Sequence, residues 1–120
     1  MHRKYSLSMK ALLLLTALMV SALPAKADDT RFINRAGMIG AITNVDCHVR
    51  KGDITEEQAR EISKKYANKY PELNAAYSWA ITSYKALEAV QALAPHMNSE
   101  CDEINLSEEE LNQLIKPYLD

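Results

Sequence analysis

Apolar positions along the chain recur at intervals of three and four residues, the period of helices, and no segment reads as a strand. Beyond a first apolar run, Ala11 to Leu23, a helix is predicted from about Asp29 or Thr30 to Arg50, with Met38, Ile42, Val45 and Val49 on one buried stripe. Gly37 and Gly40 lie inside it; each costs about 1 kcal/mol relative to alanine in a helix, which predicts a neighbour packed close against them. Lys51-Gly52-Asp53 ends this helix, and Thr55-Glu56-Glu57-Gln58 is a capping box with Ile54 placed as a hydrophobic staple. The second helix carries Ala59, Ile62 and Tyr66 as a narrow stripe. It stops at Tyr70-Pro71, because proline disfavours the helical conformation in the residue before it.

A third helix is predicted from about Pro71 to Leu93, with Leu73, Tyr77, Ala80, Tyr84 and Leu87 on one stripe. Trp79 lies about 200° around that helix from Tyr77. Aromatic residues on two sides predict contacts on both: either this is the central helix of the bundle, or one aromatic face is open to a partner. On the second reading Tyr77, Trp79 and Tyr84 form the candidate interaction surface. A polar loop, residues 94–106, follows. Ser107-Glu108-Glu109-Glu110 is a second capping box, and Leu111, Leu114, Ile115, Tyr118 and Leu119 give a short last helix its apolar face. The fold class expected is all-α, a small bundle of about four helices.

The apolar run changes the picture of where the protein works. Arg3, Lys4 and Lys10 precede it and Ala25-Lys26-Ala27 follows, the order of parts in a secretory signal peptide. The run is shorter than the roughly 20 apolar residues that cross a bilayer, so cleavage rather than anchoring is expected. Residues 1–27 are therefore assigned to a signal peptide and 28–120 to a single helical domain, secreted or periplasmic, with no membrane span after cleavage.

Four of the 14 basic residues and none of the 16 acidic ones lie in 1–27, which leaves residues 28–120 with a formal charge of −6. That sign argues against nucleic acid as a partner, because phosphate affinity comes from Lys and Arg. Residues 50–69 hold six of the remaining basic side chains, whereas the chain from Glu88 onward carries eight acids and only Lys116. Both stretches are expected to be solvated faces.

Cys47 and Cys101 are the only cysteines. In an exported chain of this size they are expected to form a disulfide, and the loop closed, about 55 residues, would contribute roughly 4 kcal/mol by restricting the unfolded chain. A zinc site from Cys47, His48, His96 and Cys101 is disfavoured, since adjacent residues on a helix point about 100° apart. Gly52-Asp53-Ile54 with the acids after it is similar to the second half of a calcium-binding EF-hand loop. In that register, however, ligand positions fall on Cys47, Val49 and Lys51, and Gln58 replaces the closing glutamate, so calcium is not expected. No nucleophile, P-loop, C-x-x-C or C-x-x-C-H motif is present.

These residues predict a non-enzymatic protein without cofactor or metal, whose partner is another envelope or secreted protein. In size, helical content and single widely spaced disulfide the chain is similar to the acid-stress chaperones of the bacterial periplasm, a likeness of architecture that no motif residue carries. A small inhibitor or immunity protein fits equally. The alternatives are a bundle that carries a small apolar ligand or haem, supported by the tyrosines and tryptophan of the third helix, and a metal-dependent or thiol enzyme, which would need both cysteines free.

Overall fold

The computed structural model describes residues 27–120, with side chains from Thr30 onward. The signal-peptide assignment lies outside the described residues. Five α-helices are present among them: α1 Ala27–Lys51, α2 Glu56–Lys69, α3 Asn74–Thr82, α4 Tyr84–Leu93 and α5 Glu108–Ile115. Short 3-10 turns at Pro71–Leu73, Ala94–His96 and Lys116–Tyr118 join or extend them. There is no strand among the described residues, and a lone antiparallel bridge pairs Met97 with Ile104. The protein is an all-α bundle stapled by one disulfide.

The central element is α1, not the 71–93 segment. α2, α3 and α4 all pack against it, and residues 36–41 are buried without interruption. Small side chains make this encirclement feasible: Ala36, Gly37, Gly40 and Ala41 let neighbours approach the helix from several directions. Gly37 and Gly40 border a void of about 10 Å³ together with Leu93, Leu111 and Ile115, so α4 and α5 do close on the glycine face. One core cluster, around Met38, Tyr66 and Leu73, joins α1 to α2 and α3. A second, around Ile39, Leu93 and Ile115, joins α1 to α4 and α5.

The ends of the helices follow the sequence closely. Gly52, at φ +80°, closes α1 in a Schellman turn: its N–H donates to Val49 O at 3.0 Å and the Asp53 N–H to His48 O at 2.9 Å. Both capping boxes form. Thr55 Oγ1 accepts the Gln58 N–H and Gln58 Oε1 the Thr55 N–H; Ser107 and Glu110 repeat the arrangement at α5.

The predicted 71–93 helix divides at Ser83, which is extended at φ −99° and ψ 133°. The stripe predicted for it is divided too. Leu73 is buried and Tyr77 and Ala80 are half-buried, but Tyr84 and Leu87 face solvent beyond the break. Packing causes this: α4 turns so that Ala86, Ala89, Val90 and Leu93, rather than Tyr84 and Leu87, meet the core.

Candidate interaction face

The cysteine pair resolves first. Cys47 on α1 and Cys101 in the loop before α5 are bonded, with an S–S distance of 2.02 Å and Cα atoms 5.7 Å apart. Cys101 is fully buried and left-handed, at φ +59°. The loop is built to hold it there: the Cys101 N–H donates to Asn98 O, and Asn98 Oδ1 accepts the N–H groups of Asp102 and Glu103. The Asn98 N–H reaches Glu103 O at 2.9 Å, which closes the turn. From α1, the buried Asn44 donates its side-chain N–H to Cys101 O.

His48 is buried at the end of α1 with Nδ1 2.9 Å from Asp53 Oδ2, a contact that ties the helix to its terminal turn. His96 lies in the 3-10 turn after α4, where its carbonyl accepts the Asn105 N–H. Among the described residues no three His, Cys, Asp or Glu side chains converge on a point. With both sulfurs in the bond, this cluster offers neither a thiolate nucleophile nor a thiolate ligand.

Of the three aromatic residues singled out, the structure brings two to one face. Tyr77 borders a groove of about 310 Å³ between α1, α2 and α3, also lined by Val49, Glu56 and Arg60. Tyr84 borders a neighbouring groove of about 390 Å³, with Ser83, Leu87 and Val90. Ile42, Asp46, Ala80 and Ile81 belong to both, so the two form one trough with Ile81 rising between them. Ile81, Tyr84 and Leu87 are 60%, 84% and 51% exposed.

Trp79 sits elsewhere. It packs against the Ile39–Ile115 core cluster. The Arg35 guanidinium lies 4.5 Å from its ring centroid, and Arg35 Nη1 donates to Leu119 O at 2.7 Å. Burial, then the neighbouring Arg31 charge, pulls the Arg35 pKa down, while Asp120 opposes the shift. Trp79 thus helps fasten the C-terminus to α1.

Charge on the trough is mixed. Asp46, which lines both grooves, is paired with Arg50 one turn along α1, and Glu56 and Arg60, one turn apart on α2, both line the first groove. A largely apolar lining with charges of both signs suits an amphipathic protein surface better than a highly charged polymer. Sequence reasoning missed Ile81, although it lies four residues from Tyr77, and gave Ile42 only as part of the buried stripe of α1. Their role depends on the break at Ser83, which no local signal marks.

No family model matches the chain, and neither the characterised proteins nor the solved structures include one similar to it.

Proposed function

We propose that this is an exported, disulfide-stapled helical protein that acts by binding another protein through the Ile81–Tyr84–Leu87 face. One observation carries the reading: three large apolar side chains stand exposed side by side above a trough lined by α1, α2, α3 and α4. Large exposed apolar side chains grouped together mark interaction sites, whereas scattered ones are ordinary. Tyr84 at the centre is the type of residue that dominates interface energetics, being large, stiff and amphipathic.

The disulfide and the signal-like N-terminal sequence support work in an oxidising compartment. A carrier for a small apolar molecule would draw on the same trough. Its two grooves are open to solvent, however, whereas sites for small apolar ligands enclose most of the ligand surface.

The test is site-specific photo-crosslinking in the exporting host. A probe at Tyr84 or Leu87 is expected to capture a defined set of extracytoplasmic proteins, and one at Lys64 on the exposed side of α2 is not. Capture is expected to vanish with Ile81→Asp. Equal capture from Lys64, or none from either face, would refute the reading.

A further inference from the structure

The stripe Leu73, Tyr77, Ala80, Tyr84 and Leu87 advances by steps of four and three residues, the spacing of a helical seam that meets a second helix. The folded chain does not use it as one seam, because the helix divides at Ser83. Neither proline nor glycine stands between Glu72 and Ala94, and the Ser83 side chain caps no N–H of α4. Local preference therefore favours one continuous helix, and only the packing of α4 and α5 back onto the chain's own α1 imposes the corner. The fully buried core is divided near the same place: α2 and α3 share one cluster with α1, and α4 and α5 share the other, on whose margin Trp79 and Ala80 of α3 also pack.

We infer that the α3–α4 corner is a hinge through which two copies of the chain exchange α4 and α5. The corner straightens into one helix from Asn74 to Leu93, and the exchanged segment packs on α1 of the second copy. The two straightened helices then face each other along the seam from Tyr77 to Leu87. The partner is a second copy because the surface that receives α4 and α5 already fits them, being identical to the one they leave. Ser83 is the only residue between α3 and α4, so one residue's backbone has to change from extended to helical for the corner to straighten.

Cys101 lies in the segment that moves. In the exchanged pair each Cys47 is bonded to Cys101 of the second copy. Two chains then hold two disulfides, as two monomers do. During folding each bond forms by loss of two electrons and two protons from a pair of thiols to glutathione disulfide, which leaves as two glutathione thiols. The exchange goes beyond the binding reading above, since it would bury that face between copies, whereas the monomer keeps it open.

The experiment refolds the full processed chain, expressed for export and then reduced and unfolded, in a glutathione redox buffer from dilute to concentrated. Equal amounts of unlabelled and isotope-labelled protein are mixed. The expected product is a dimer on non-reducing gels whose share rises with concentration and whose Cys47–Cys101 peptide carries one label of each kind. Ser83→Ala, which favours the continuous helix, is expected to raise that share several-fold. Tyr84→Pro, at the first position of α4, permits the corner and forbids the straight helix, and is expected to abolish the dimer while the circular dichroism of the monomer is retained.

Absence of the mixed peptide at every concentration, in both the parent chain and Ser83→Ala, would overturn the exchange. So would a covalent dimer that survives Tyr84→Pro. A monomer that passes the crosslinking test above but fails this one leaves the binding face standing without the hinge.

Discussion

Asn44 shows how much of the tertiary design rests on single polar side chains. It is fully buried on α1 and donates to the Cys101 carbonyl, so it secures the backbone of the loop that the sulfur bond secures by its side chain. Asn44→Ala is expected to destabilise by about 2 kcal/mol, because a buried carbonyl loses its donor. Urea unfolding followed by circular dichroism measures it. Glu110 acts at the surface. Its carboxylate accepts the Ser107 backbone N–H at 2.9 Å, and this bond, with that to the Ser107 side chain and a smaller contribution from His96, holds its pKa below the usual glutamate range. A carboxyl group depressed in the folded state supports folding above its unfolded pKa, and that support is lost as pH falls through the folded value. Acid is therefore expected to loosen the start of α5, read by NMR as movement of the Ser107 amide resonance. In Glu110→Gln, which can still accept the bond, that movement should disappear. Glu110 was legible in the sequence through the capping box, whereas Asn44 was not, since its partner lies 57 residues away.

At the level of elements, what could be read locally was read well. Both capping boxes, the Tyr70-Pro71 stop and the Lys51-Gly52-Asp53 end of α1 rest on interactions within six residues, and all are found. Two features of wider origin were not legible. α1 proved to be the helix surrounded by the others, because alanine and glycine dilute its apolar pattern while allowing close approach. The 71–93 helix proved to be two, because the packing of Ala86, Ala89 and Val90 on the core outweighs an unbroken helical preference. Gly52 offers a clean test of the local kind. A Cβ placed there would meet nothing within 4 Å, so Gly52→Ala has no steric cost and a purely conformational one from φ +80°. It is expected to lose about 1 kcal/mol, the cost of placing a non-glycine residue in the left-handed region. Thermal unfolding should show a lower Tm with the helical spectrum unchanged.

For the molecule as a whole, the disulfide joins α1 to the loop that precedes α5, so it spans the half of the core built from Ile39, Leu93 and Ile115. The pairing was legible from cysteine count and an export-like N-terminus; the loop geometry around Cys101 was not, because it depends on Asn98 and on the Met97–Ile104 bridge. The bond closes a sequence separation of 54 residues, for which restriction of the unfolded chain accounts for roughly 4 kcal/mol. Against a typical total of about 5 to 15 kcal/mol, its loss leaves a marginal fold. Cys47→Ser is expected to cost most of that amount. Cys101→Ser is expected to cost more, since it also places a hydroxyl at a fully buried site. The double variant should match Cys101→Ser within about 0.5 kcal/mol, because the second substitution removes a bond already gone. Denaturant unfolding of all four proteins decides it. The m-value should rise in every variant, as an unbridged unfolded chain exposes more surface. Losses that add in the double variant would show that the two sulfurs stabilise the fold separately rather than as one link.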